Sequence, residues 1–325
     1  MRNILLPVIV CITLFSCSQK KTLNTKLSGL VFGTSYSIVY NSTTNYKKEI
    51  DSIFNTINAS LSTYQNSSII SKLNNNDTVI IDAHFTNVFK ASKVIYKHTN
   101  GAFDPTIGVL VNAWDFGPKK KVNHLNQLKI DSLMLYVGFK KVTLVNGALT
   151  KPKETFLDFN AIAKGYAVDV VSNFLTSKQC NNHLVEIGGE IRVSGVNNDK
   201  SKPWRVGVEK PNFDGTQSLL KGITLHNTAM ATSGTYRKFK VDSLGNRYAH
   251  IIDTQTGRPS KTNLLSISVI ANNCMLADAY ATAFKTMGID AVKLFLDEHT
   301  DIKVFLIFEK NKQIQTLSIN GFPEA

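Results

Sequence analysis

Long apolar runs are missing from this chain. The best candidate, Ile4 to Phe15, is broken by Pro7 and Thr13 and falls short of the about twenty residues that a spanning helix needs. Cysteine is scarce too: four occur in 325 residues, none at CxxC spacing or beside a histidine pair, which argues against a zinc site. Acidic residues are in deficit, 24 against 37 basic, leaving a formal net charge of +13. Such a balance invites a nucleic-acid reading. The lysines are scattered, however, apart from Lys119-Lys120-Lys121, and no base-stacking aromatic motif accompanies them, so no nucleic-acid partner is expected. The charge is read as solubility, attraction to anionic lipid or docking to an acidic partner. Linkers, internal repeats and low-complexity breaks are also absent. With 43% hydrophobic residues to fill a core, the expectation is one α+β domain of mixed sheets and helices.

What is present begins with a leader. Met1-Arg2-Asn3 is a short basic start, the apolar run follows, and Leu14-Phe15-Ser16-Cys17 ends it with a small residue before cysteine. This pattern reads as a lipoprotein signal peptide over residues 1–16, lipidation at Cys17 and a polar tether over 17–26. The domain then covers 27–325. An uncleaved anchor is the alternative. An exported bacterial lipoprotein, membrane-held and facing the periplasm, is the localisation this predicts. Cys180 and Cys274 remain in the domain, and their spacing leaves open whether they pair.

Hydrophobic periodicity supplies the elements. Leu27 to Tyr40 reads as a strand around Gly33, Lys47 to Leu61 as a helix, and Phe85, Val88, Phe89, Ser92 and Ile95 recur at helical spacing. Ala161 to Leu175 is a further helix, and Leu184 to Val193 two strands bent at Gly188-Gly189. Trp204 to Glu209 alternates as a strand, Leu264 to Ala271 is apolar and β-branched, and Cys274 to Met287 is helical until Gly288 stops it. Ile302 to Phe308 and Gln313 to Leu317 form a closing hairpin.

Two of these segments carry chemistry. In Leu276-Ala277-Asp278-Ala279-Tyr280-Ala281-Thr282 a carboxylate and a hydroxyl stand four apart, on one helix face, as a hard cation seeking oxygen ligands requires. In Asp158-Phe159-Asn160-Ala161-Ile162-Ala163-Lys164-Gly165-Tyr166 an apolar strand ends and a helix opens, which exposes backbone groups and brings a lysine near any phosphate. Each signal alone is weak, since an Asp and Thr at this spacing are more often merely solvated.

Six strings in order raise the odds: Phe32-Gly33-Thr34-Ser35-Tyr36; Leu61-Ser62-Thr63-Tyr64; Gly101-Ala102-Phe103-Asp104-Pro105-Thr106-Ile107-Gly108 with Trp114-Asp115-Phe116-Gly117-Pro118; Asp158 to Tyr166; Val185-Glu186-Ile187-Gly188-Gly189-Glu190; and Thr232 to Arg237 followed by His250-Ile251-Ile252-Asp253 and Thr256-Gly257. Together they resemble the ApbE family of FAD:protein FMN transferases, from about Leu27 to about Gly288. The resemblance implies a magnesium-dependent exported lipoprotein that splits FAD, releases AMP and joins FMN to a threonine of a membrane redox subunit, of the Na+-pumping NADH:quinone oxidoreductase or Rnf type. It implies the Ala161 carbonyl, Asp278 and Thr282 as metal ligands. FAD is expected at Phe32, Tyr64, Ala102, Phe103, Asp104, Asp158, Lys164 and Ile251.

The chemistry suits those residue types. Tyr64 offers an aromatic face, Asp104 and Asp158 offer acceptors for hydroxyls and amines, and Lys164 offers a point charge for phosphate. His250, beside Ile251, is the candidate general base or phosphate partner, with Asp278 also placed in the catalytic set. Bland alternatives stand beside these: a half-exposed surface tyrosine for Tyr64, a satisfied core residue for His250, a plain bend for Gly188-Gly189. Phe32 stands where many relatives carry methionine, which keeps an apolar contact but loses thioether flexibility. Two other functions remain open, an FAD pyrophosphatase using the same site with water as acceptor, and a lipid-anchored flavin carrier without turnover. A carrier has no need of Asp278 and Thr282 at metal-binding spacing.

Overall fold

The computed structural model describes residues 24–236, 239–241 and 247–324; the leader, Cys17, most of the tether and Arg237 lie outside the described residues. The strands are β1 (Thr25–Val31), β2 (Thr34–Tyr40), β3 (Thr143–Val145), β4 (Ala148–Thr150), β5 (His183–Ile187), β6 (Glu190–Ser194), β7 (Trp204–Glu209), β8 (Leu219–Leu225), β9 (Ala229–Gly234), β10 (Phe239–Val241), β11 (Arg247–Ala249), β12 (Leu264–Ala271), β13 (Lys303–Lys310) and β14 (Gln313–Ile319). The helices are α1 (Lys47–Leu61), α2 (Ile69–Asn74), α3 (Ala83–His98), α4 (Gly108–Ala113), α5 (Gln127–Met134), α6 (Ala163–Ser177), α7 (Cys274–Met287) and α8 (Ile289–Glu298).

Eight strands form one antiparallel sheet in the order β1-β2-β5-β6-β9-β12-β13-β14. Its central strand β12 is apolar along nearly its whole length because both faces are covered. Ile267 and Val269 join the large core beneath α1, α3, α6, α7 and α8, whereas Ile270 joins a second core under the β7–β8 ribbon with Trp204, Ile223 and Phe322. Each such side chain, fully buried, contributes roughly 1.5–3 kcal/mol of transfer free energy. A third, smaller cluster of Leu110, Ile130, Val137 and Ile252 holds α4 and α5 against the segment after β11.

The long periodic segments form where their spacing predicts. α1 and α7 have the bounds read from sequence, and all five apolar-face residues of α3 are buried. The differences have local causes. Leu27 to Tyr40 is two strands, because Phe32 (φ 51°) and Gly33 (φ 75°) both take positive φ and close a two-residue hairpin whose twist matches its flanks. Strand β1 opens at Thr25, so regular structure reaches two residues into the stretch read as tether. Gly288 (φ 82°) ends α7, but an amphipathic helix, α8, starts directly after it. Gly188 (φ 64°) and Gly189 (φ 103°) make the bend between β5 and β6. Cys180 and Cys274 are both buried free thiols.

Candidate active site

Helix α6 starts two residues later than the apolar pattern suggests. Residues 159–162 form a turn in which Ile162 and Ala163 donate to the Phe159 carbonyl at 3.0 and 2.9 Å, and the first full helical bond runs from Tyr166 N–H to the Ile162 carbonyl. The N–H of Gly165, whose helical partner would be the Ala161 carbonyl, donates instead to Asp278 Oδ2 at 3.0 Å. That diversion leaves the Ala161 carbonyl without its usual helical donor.

The two helices approach this closely because residue 165 has no side chain. A Cβ there would stand 2.3 Å from the Cys274 carbonyl oxygen and 2.8 Å from Asp278 Cβ. Asp169, one turn along α6, fixes the start of α7: its Oδ1 accepts from Cys274 N–H at 2.9 Å and Arg192 Nη1 at 2.8 Å, and its Oδ2 accepts from Met275 N–H at 2.8 Å. Asn273 caps the same helix end by accepting from Leu276 N–H. Asp278 is thereby held in place from its own helix and from α6.

Lys164 sits between two buried carboxylates, 2.7 Å from Glu190 Oε1 and 4.0 Å from Asp278 Oδ1. Burial works against its charge, yet Asp278 and Glu190 outweigh that and hold the ammonium's proton above the ordinary lysine value. For Glu190 burial dominates and pushes the carboxyl up to about 7, with Lys164 pulling it down and Asp278 pushing it further up. Glu190 Oε2 is buried without a hydrogen-bond partner among the described residues. An orphaned carboxylate oxygen, a second carboxylate oxygen no closer than 4.0 Å to its cation, a diverted carbonyl and the half-buried Thr282 one turn beyond Asp278 make a set of hard oxygen donors. These residues fit a hard dication. Sequence reasoning quoted Glu190 in a motif and gave it no part; only its place directly after Gly188-Gly189 could have drawn attention to it.

The other expected residues fall into two neighbouring groups. Gly188 donates to the Ser35 carbonyl at 2.9 Å, which ties the Phe32-Gly33 turn to the Glu190 strand, and Phe32 packs edge-on to Phe54. Asp158 is buried; its N–H donates to the Pro105 carbonyl and its Oδ1 accepts from Asn160 N–H, both at 2.8 Å. Burial pushes its carboxyl above the usual range. Tyr64, 62% exposed, lies close enough to Asp158 that partial desolvation and then that negative charge push its phenol up. Asp104 is engaged internally: Oδ1 accepts from Thr106 N–H and Oγ1, and Oδ2 from Phe139 N–H. Phe103 packs in the core, so the accessible part of residues 101–104 is backbone and Ala102.

The second group follows β11. His250 is half-buried with its ring 6.3 Å from that of Phe116, and the buried Ile251 accepts through its carbonyl from Ser260 N–H. Thr254 Oγ1 donates to the Gly101 carbonyl at 2.7 Å and Trp114 Nε1 to the Gly257 carbonyl at 2.8 Å, joining this group to the 101–116 segment. Hydrogen bonds thus tie the 254–257 segment to the 101–116 segment, and that segment to Asp158, while Lys164, Asp278 and Glu190 cluster where α6, α7 and β6 meet.

Residues 32–306 match the profile of the ApbE family. A Haemophilus influenzae protein named FAD:protein FMN transferase is 35% identical over 98% of this chain and 96% of its own length. A Vibrio cholerae protein of the same name is 33% identical over 99% and 98%. Among solved structures, flavin transferase ApbE from Vibrio cholerae superposes with a TM-score of 0.82 at 32% identity, covering 91% of this chain and 97% of that one. The apo form of Pseudomonas stutzeri flavinyl transferase ApbE gives 0.81 at 27% identity, covering 91% and 95%.

Proposed function

Because the chain belongs to the ApbE family, we propose that it transfers FMN from FAD to a threonine hydroxyl of an acceptor protein and releases AMP, with magnesium as its resident ion. The observation that carries the reading is the diversion of the Gly165 N–H to Asp278, which takes its bond from the Ala161 carbonyl, together with the Lys164 ammonium held between Asp278 and the orphaned Glu190. The Ala161 carbonyl, Asp278 and Thr282 would hold the ion, with Glu190 facing the same cluster through Lys164. Magnesium, when bound, neutralises charge on the phosphoryl oxygens.

The chain's own residues do the rest. The acceptor oxygen bonds to the phosphorus on the FMN side, the bond from that phosphorus to the bridging oxygen breaks, and AMP leaves with the electron pair. The hydroxyl proton passes to His250. Lys164, fixed by Glu190, presents a permanent positive charge to the pyrophosphate. Tyr64 presents its exposed ring to a ring of FAD, Asp158 accepts from ligand hydroxyls or amines, and the Ala102 to Asp104 backbone, Phe32 and Ile251 complete the walls. Asp104, with both oxygens engaged, maintains the turn that aims this backbone.

The acceptor we propose is a threonine of a membrane redox subunit, of the Na+-pumping NADH:quinone oxidoreductase or Rnf type, reached from a lipid anchor at Cys17 on the periplasmic face. Incubation with FAD, magnesium and such a subunit, followed by intact mass, tests the reaction. Gain of an FMN mass on the acceptor is the expected result; free FMN and AMP without that gain identify a hydrolase, and unchanged FAD identifies a carrier. His250→Ala should lower the saturated rate roughly a hundredfold or more while FAD affinity, read by flavin fluorescence, stays near normal. A normal saturated rate removes His250 from the proton transfer.

A further inference from the structure

An open cavity of about 470 Å³ lies between α3, α6, β6 and the start of α7. It uses the α6 stripe of Tyr166, Asp169, Val170 and Asn173. At 100° per residue Lys164 lies roughly 160° around the helix from that stripe, so this is not the candidate active site. Its size falls in the roughly 300–1,000 Å³ range of small-molecule pockets.

Hydrogen-bond capacity in this cavity is one-sided. Asp169 is its one acidic lining residue, and both oxygens are engaged by Arg192 and by the Cys274 and Met275 N–H groups. Arg192 is paired through Nη1 alone, leaving most of its five N–H donors for the cavity. Lys90 is exposed and makes no ion pair among the described residues. Asn273 has its oxygen committed to Leu276 N–H, so its amide N–H₂ remains, and the Asn173 and Asn272 side chains are without hydrogen bonds among the described residues. Two cations face one carboxylate whose oxygens are both engaged, and the asparagine amides add N–H donors beside their own acceptor oxygens.

We propose that this cavity is a ligand site for the oxyanion of a phosphate monoester, whose several acceptor oxygens match a guanidinium, an ammonium and a set of amides. The site stands apart from the transfer reaction. Through Asp169 it touches the first turn of α7, which carries Asp278 one turn further on.

Calorimetric titration of the full-length protein with glycerol 3-phosphate and with inorganic phosphate tests this. Wild type should show one saturable site, weakened tenfold or more by Lys90→Glu, an exposed change that leaves the core intact, and unaffected by Lys164→Ala at the other phosphate-attracting cluster. Competition by vesicles containing phosphatidic acid, and not by phosphatidylcholine vesicles, would identify the monoester as a lipid headgroup; absence of competition would identify a soluble ester. No saturable binding, or binding abolished by Lys164→Ala and untouched by Lys90→Glu, overturns the proposal.

Discussion

Asp278 divides its two oxygens: Oδ2 holds the Gly165 N–H, and Oδ1 stands 4.0 Å from Lys164 Nζ. Asp278→Asn separates them, since the amide oxygen can still accept from Gly165 while the charge is gone. We expect unfolding stability to change by no more than about 1 kcal/mol, with FMN transfer lost at limiting magnesium and partly recovered in excess; wild-type transfer at limiting magnesium would remove Asp278 from the ligand set. Helical spacing alone puts Asp278 and Thr282 on one face of α7, whereas the place of Glu190 against Lys164 depends on β6 lying beside the start of α6 and has no local pattern. Lys285 was likewise invisible: it is 1% exposed and its Nζ donates to Thr262 Oγ1 at 2.9 Å. Burial pushes its ammonium down to about 8. A lysine whose folded value lies below its unfolded one weakens the fold fully at pH below 8, and the penalty fades as pH rises from about 8 toward the unfolded value of 10.5. Lys285→Met should therefore be more stable than wild type at pH 7, by up to about 3 kcal/mol, and that advantage should shrink across this window in urea titrations; a pH-independent difference would contradict a buried charge.

The α6 and α7 crossing is where elements convert packing into a site. Ala277, Ala281 and Ala283 are small and buried on α7, and Gly165 removes the last obstacle on α6, so the backbones meet at the point where Asp278 crosses. Gly165→Ala would place a Cβ against the Cys274 carbonyl, a backbone atom that cannot rotate away. Overpacking of this kind costs about 1–3 kcal/mol, and the relaxation that relieves it must part α6 from α7. We expect a lowered melting temperature together with weaker magnesium affinity, read as transfer lost at limiting magnesium and partly recovered in excess, because the Asp278 carboxylate moves off the start of α6; lost stability with unchanged magnesium response would show that the crossing does not position the cluster. Among elements with long apolar stripes, α1 and α7 were legible to their ends and α3 by its buried face alone. Short ones were not: α2 and α4 have six residues each, and β3, β4, β10 and β11 three each, too few for a period to emerge, so neighbours decide their conformation.

At the scale of the whole molecule, the edge of the large sheet lies near Cys17 in sequence. Strand β1 is the outermost strand beside β2, and it opens only eight positions after Cys17, a reach of no more than about 28 Å when fully extended. A lipid on Cys17 would thus hold that edge of the sheet close to the bilayer, while the +13 charge of the chain adds attraction to anionic headgroups. The two attachments respond differently to salt. Screening at high ionic strength removes the lysine contribution, whereas an acyl chain buried in lipid is unaffected. Among the described residues no helix is long and apolar enough to cross a membrane. Cys17→Ser should accordingly appear in the soluble fraction after a high-salt wash, where the unaltered protein stays in the membrane pellet. Transfer to a detergent-solubilised acceptor should persist at the wild-type rate, since the site lies wholly within the folded domain, while transfer to the same acceptor in intact membranes should slow as the enzyme loses its confinement to the surface. A Cys17→Ser protein that remains in the salt-washed pellet would locate the attachment in the domain itself and refute the lipid anchor.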